Sequence, residues 1–392
     1  MGLSSGGSVS LAHVSVVLLA TPLAFACGAP PDAAPPTTET TVRMAVVGQS
    51  LIKHDPRQYL DDPLQTVAPI LGAADAVFSN LEVAIAGPGC ECTPTRDGIF
   101  FHGTGPHVVD YLSDLGVTLL SLANNHAWDY GDEGIVSAIA EAERLGLTYA
   151  GTGANLSEAT APGYRNVAGL RIGMVAAATI DNPPGARATE TTAGTNMLEP
   201  DDPADWDRNL AAIREAASNA DFVIAYQHFQ ADAPPGWHER WARATIDAGA
   251  DLYVSHGEPQ LGGVEWYRGG LILYGLGNFI FHSRTIDYHP PEVWESAIVE
   301  VSIGADGVRD ATFTPIALNE QGTEGDLFFE TRGVPEVARG ELGASILERL
   351  VDLSRPFGTA IEVRDGKAHW RRSAEAAQAS RSMPRLNGSR RY

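Results

Sequence analysis

At 392 residues the chain can hold one large domain or two, and 44% hydrophobic with 8% aromatic residues supplies a sizeable core. Its 49 acidic residues against 27 basic ones give a net charge of −22, which sets the folded body against nucleic acid and anionic lipid as partners. The charge is uneven: from Arg364 onward eight basic residues face only Asp365 and Glu375, with Ser, Ala and Gly between them, so 364–392 reads as a solvated basic tail.

Residues 9–26 are apolar and end in a small-x-small pattern at Ala24 and Ala26, which predicts a signal peptide over 1–26 and an exported, cell-envelope protein, although no Lys or Arg precedes the apolar segment. Cys27 follows directly, then a proline-rich spacer to residue 41 that has too little apolar surface to pack. That order resembles a bacterial lipoprotein, with Ala24 where a Leu usually stands; a lipid on Cys27 is the one route by which this chain would meet a membrane. Cys90 and Cys92 read as a tight disulfide in an oxidising compartment, or less readily as half of a metal site, since no further Cys completes one.

The body opens with a strand over 41–48 that ends at Gln49. A second strand, 75–83, presents Asn80 and Glu82 at its carboxyl end. The run 116–122 is short, continuously apolar and partly β-branched, as in a strand buried on both faces, and it empties into Asn124, Asn125 and His126. After a turn at 129–132, Ile135, Ala138, Ile139, Ala142 and Leu145 recur at helical spacing. Further strands over 171–177, 221–227 (ending at His228) and 251–255 (ending at His256) alternate with helices. One of these is capped by Asp202 with Pro203 at its first position; the other carries Trp237 and Trp241 and stops at Gly249. Two hairpins follow, one around 268–270 and one around Asp306 and Gly307. A mixed sheet, or two packed sheets, is the architecture this order predicts.

Five strands therefore end at Gln49, at Asn80 and Glu82, at Asn125 and His126, at His228, and at His256. Open α/β sheets bind ligands at that edge, and carboxylate, amide and imidazole groups converging there suit zinc, manganese or iron. Taken singly, each residue reads as well as a hydrogen-bonded structural group; their coincidence favours the ligand reading. Trp237, Trp241 and Trp266 fit a core better than a substrate groove, because two of them stand at helical spacing.

The stretches 78–82 (FSNLE), 122–131 (LANNHAWDYG), 149–155 (YAGTGAN), 248–256 (AGADLYVSH) and 273–281 (LYGLGNFIF), in this order, resemble the CapA-type capsule or poly-γ-glutamate synthesis proteins, whose fold is similar to that of calcineurin-like metallophosphatases. The resemblance spans about 42–318 and leaves 319–363 as a helical extension. It implies an α/β fold, a four-layer α/β/β/α sandwich with mixed sheets. It also implies a divalent metal held by Gln49, Glu82, Asn125, His228 and His256, with His126 facing substrate as acid or oxyanion partner. Two departures weaken that site. The family's first strand ends Gly-Asp where this one ends Gly48-Gln49, and the family's last His of Gly-His-x-Pro-His is Pro259 here, with Glu258 beside it as a substitute catalytic carboxylate. One ion rather than two, or none, is the expectation.

The function so implied is synthesis, anchoring or processing of an anionic cell-surface polymer such as poly-γ-glutamate, by metal-dependent hydrolysis if the site is intact. The alternatives are a non-catalytic polymer-binding module and a metal-dependent peptide epimerase. An acidic body would need a metal or a local basic patch to attract a polyanion.

Overall fold

The computed structural model describes residues 40–179, 183–230, 233–286, 288–323, 325 and 327–373. The segment expected to be a signal peptide, Cys27 and nearly all of the proline-rich spacer, like the basic stretch beyond residue 373, lie outside the described residues.

Strand Val42–Leu51 is the centre of the larger sheet. It runs parallel to Ala76–Leu81 on one side, and that strand continues the parallel order to Val117–Ser121 and Thr148–Ala150. On its other side Val42–Leu51 runs antiparallel to the hairpin Glu295–Gly304 and Gly307–Leu318. The smaller sheet has the order Val264–Tyr267, Gly270–Leu273, Leu252–Gly257, Phe222–Phe229, Leu170–Thr179, Gly163–Val167. Parallel strands form its middle, and an antiparallel strand closes each edge. Both predicted hairpins are present.

Side-chain alternation along these strands assigns the layers. Met44 and Val46 pack with Phe78, Leu119, Ile172, Met174, Ile224 and Val254 between the two sheets. Their neighbours Ala45 and Val47 face the other way, onto Val108 and Leu112 of helix His107–Asp114 and Ala138 and Ala142 of helix Gly131–Arg144. On the far side Val223, Ala225 and Tyr253 meet Leu210 and Ile213 of helix Pro203–Asn219, and Trp241 and Ile246 of helix Trp237–Asp247. The result is the four-layer helix, sheet, sheet, helix sandwich that the resemblance implied. Asp202 accepts from the Ala204 N–H at 2.9 Å and caps its helix as expected. Trp237 and Trp241 are buried in the outer core, and Trp266 packs on Trp370 with ring centroids 4.8 Å apart. All three are packing residues.

Two features depart from the sequence reading. The extension after residue 318 is only partly helical: strand Pro335–Val337 precedes helix Gly340–Ser354 and pairs with Gly307–Leu318. Strand Lys367–Arg371 also pairs with Gly307–Leu318, so the first residues of the expected basic tail belong to the sheet. Ala368 and Trp370 of that strand point inward and are buried, an alternation that the neighbouring Lys and Arg residues obscure in a count of charges. Cys90 and Cys92 form a disulfide. Among the described residues no helix is long and apolar enough to cross a membrane.

Candidate functional site at the strand ends

The first strand changes partner at Gly48. Up to Val46 it pairs with Glu295–Gly304, and from Gln49 it pairs with Asn278–Phe281. A Cβ on residue 48 would stand 2.4 Å from the Gly277 carbonyl oxygen, so only glycine allows the switch. The exchange carries Gln49 to the boundary between the sheets. There its Nε2 donates to Asn278 Oδ1 at 2.9 Å, and its Oε1 accepts from the Gly257 N–H, at 2.9 Å, on the smaller sheet. Both ends of the amide are occupied. Gln49, expected as a metal ligand, is a clamp between the sheets. Glu258, expected as a catalytic carboxylate, lies exposed beyond strand Leu252–Gly257, its N–H donating to the Phe229 carbonyl at 2.9 Å.

Glu82, His228 and His256 are buried where the sheets meet. Glu82 Oε1 lies 3.8 Å from His228 Nε2, and the Tyr226 hydroxyl lies 3.5 Å from His228 Nδ1. His256 sits against the rings of Tyr226 and Phe78, with centroids 5.4 and 6.5 Å away. Among the described residues, Glu82 Oε2, Asn125 Oδ1, Asn80 Nδ2, His228 Nε2 and both ring nitrogens of His256 are buried with no protein hydrogen-bond partner. Each such atom costs roughly 1–3 kcal/mol unless something fills it. Burial, with a smaller push from Asp129, raises the Glu82 carboxyl to about 8. Burial also holds His228 and His256 down to about 3. At neutral pH the three groups are therefore uncharged.

His126 is fixed from two directions. Its N–H donates to Asn124 Oδ1 at 3.0 Å, while Asn124 Nδ2 donates to the Leu81 carbonyl at 2.7 Å and joins the ends of two strands. Its Nδ1 meets Asp129 Oδ2 at 2.9 Å, and the same oxygen accepts from the His102 N–H at 2.7 Å. Arg96 Nε stands 2.8 Å from the other Asp129 oxygen and Arg96 also donates to the Asn125 carbonyl. Burial lifts Asp129 to about 6 against the pull of the His102 N–H and Arg96, and it lowers His126 to about 3, with Arg96 and Lys53 adding to that. At pH 7 the pair is a neutral imidazole donating through Nδ1–H to a carboxylate, which leaves Nε2 as the unprotonated ring nitrogen. Asp129, three residues after His126, was in view within its motif but carried no assigned role. Arg96 and Lys53 gave no signal in the sequence, because they come from loops with no motif.

Among the described residues no group of three or more His, Cys, Asp or Glu side chains could hold a metal ion. With Gln49 committed at both ends and Glu258 exposed, the arrangement does not fit the metal centre that the resemblance implies.

Residues 43–283 match the family model described as bacterial capsule synthesis protein PGA_cap. The chain belongs to that family. It is 31% identical over 282 residues to the PGA biosynthesis protein CapA of Bacillus subtilis, covering 70% of each chain. It is 29% identical over 293 residues to the capsule biosynthesis protein CapA of Bacillus anthracis, covering 72% of this chain and 68% of that one. A probable polyglutamine synthesis accessory protein of Mycobacterium tuberculosis is 29% identical over 241 residues, which are 56% of this chain and 61% of its own. The family match contains Gln49, Glu82, Asn125, His126, His228 and His256, and it ends before the hairpin that completes the larger sheet.

Proposed function

We propose that this chain serves in making an anionic capsule polymer of the poly-γ-glutamate type, and that it holds a segment of that polymer at the strand-end cluster. The observation that carries the reading is the set of buried, unpartnered polar atoms on Glu82, Asn125, His228 and His256, contributed by four separate strand ends. Hydrogen-bonding groups buried without a protein partner across two sheets are a standing cost that a bound polar chain relieves. Being neutral at pH 7, Glu82, His228 and His256 add no negative charge of their own at the point where a polyanion would bind. By contrast, a surface hollow of ≈ 500 Å³ beside the Cys90–Cys92 loop is lined by Glu91, Asp132, Glu133 and Glu141, which suits no polyanion.

Binding is favoured over hydrolysis by the electrostatics of His126. Its orientation by Asp129 is that of a general base, but an imidazole held near 3 takes up a proton poorly at neutral pH, where the best base titrates close to the working pH. A neutral imidazole of this kind serves better as a fixed hydrogen-bonding partner for an amide or carboxyl of the polymer. Trimming of the polymer is the second reading, and the His126–Asp129 pair is what favours it.

The test is titration of the purified chain with fluorescently labelled γ-linked glutamate oligomers, followed by mass spectrometry of the recovered oligomer. Saturable binding that is lost in a His126→Ala, His228→Ala variant, with oligomer length unchanged, is the expected result. Absence of saturable binding by the unmodified chain refutes the reading, and shortened oligomers would replace it with the hydrolytic one.

A further inference from the structure

We infer that Lys53 supplies the positive charge by which this site recognises a polycarboxylate, its ammonium taking one carboxylate of the chain beside His126. The inference rests on the polymer reading above and assigns its charge-recognising residue.

Lys53 lies two residues beyond the first strand, and its backbone is held on both sides. Its N–H donates to His282 Nδ1 at 3.1 Å, and its carbonyl accepts from the Thr104 hydroxyl at 2.7 Å. The His282 ring stacks on His54, with centroids 3.9 Å apart and planes 4° apart. The side chain is fixed as well, since Nζ donates to the Phe101 carbonyl at 2.7 Å. A carbonyl takes one of the three ammonium donors, which leaves two for a ligand.

Among the described residues no carboxylate stands at ion-pair distance from Lys53, although acidic residues outnumber basic ones 49 to 27. Arginines elsewhere in the same chain are well supplied: Arg57 pairs with Asp55, Arg144 with Asp110 and Glu141, Arg187 with Asp205, and Arg243 with Glu265. Lys53 is half-buried, and the groups that act on its charge are Arg284, which repels it, and Asp129, which attracts it. The field of Lys53 in turn reaches His126 and His102. It is thus a fixed, half-dry cation, short of a counter-ion among the described residues and held on Phe101, whose neighbour His102 packs against His126 with ring centroids 4.2 Å apart.

A carboxylate arriving here completes the pairing that the fold leaves open. It would accept from the two remaining N–H groups of Lys53, while the amide that follows it along the polymer reaches the neutral cluster. Charge-assisted hydrogen bonds are about twice as strong as neutral ones, and partial burial shields them from solvent. The cation also meets the requirement for a local basic patch that the acidic body imposes on any polyanion.

The experiment compares the full chain with its Lys53→Met and Lys53→Arg variants. Anisotropy of labelled γ-linked glutamate oligomers is measured at several salt concentrations, with inorganic phosphate and free glutamate as competitors. Lys53→Met keeps the aliphatic stem, so its melting temperature is expected to equal or exceed that of the unmodified chain. Its affinity is expected to fall about tenfold or more, with a flatter salt dependence, whereas Lys53→Arg stays within about threefold. Wild-type affinity in a folded Lys53→Met variant would overturn the assignment and leave the polymer reading intact. Failure of the unmodified chain to bind any oligomer would overturn the polymer reading itself. Displacement by phosphate at lower concentration than by glutamate would also overturn it, by making this a phosphate site.

Discussion

Glu82→Gln tests the electrostatic state of the cluster without any ligand. The carboxyl is raised from 4.5 to about 8 by burial, so between those values the folded chain keeps a proton that the unfolded chain has lost. A folded state that binds more protons loses stability as pH rises, at about 1.4 kcal/mol per pH unit for one group. The buried imidazoles act in the opposite sense. His126, His228 and His256 titrate near 3 when folded and near 6.5 when unfolded, so they cost stability as pH falls below 6.5. Asp129, at about 6, has finished most of its change by then, and Lys53, lowered to about 8, contributes mainly above that value. Between pH 6.5 and 8 the imidazoles still shed part of their cost as the unfolded chain loses its last histidine protons, so Glu82 is isolated by the difference between the two proteins and not by either profile alone. Urea unfolding in the presence of a chelator should show the stability of the unmodified chain, relative to Glu82→Gln, falling by about 2 kcal/mol across that interval. A difference between the two proteins that stays constant from pH 6.5 to 8 would refute the claim that Glu82 is protonated in the folded protein at neutral pH.

Asp129→Asn removes the charge facing Arg96 and presents an amide to His126. Because Arg96 reaches solvent, the expected loss is about 1–3 kcal/mol in denaturant unfolding, and the ¹⁵N chemical shifts of the His126 ring should report a change of tautomer; an unchanged ring spectrum would count against the bracing role. Elemental analysis after incubation with zinc or manganese and removal of free ion should give well below one equivalent per chain. A stoichiometric ion that disappears in a His228→Ala, His256→Ala variant would show that the cluster closes around a metal after all.

How far the sequence reached is clearest in particular residues. The first, second and third strands of the larger sheet and the long strands of the smaller one were legible, because a strand covered on both faces must be apolar at nearly every position, as 117–121 and 222–226 are. The Asp202 cap, the two hairpins and the burial of Trp237 and Trp241 followed from equally local rules. Strand Lys367–Arg371 was missed because its outward residues are basic and its two inward ones, Ala368 and Trp370, make too short a pattern to stand out.

The chemistry of the site divides along the same line. That polar residues gather at strand ends was written in the chain, since each lies next to an apolar run on which its position depends. Whether a given residue is free or already used was not. Gln49 looks like a ligand that has lost its charge until the smaller sheet places the Gly257 N–H 2.9 Å from its side chain, a contact between residues 208 apart. Lys53 and Arg96 gain their meaning only from loops that arrive from elsewhere. Local sequence sets which face of an element is buried, because burial repeats with the backbone's own period. Pairing of polar atoms across two sheets has no period, and only the tertiary fold decided it.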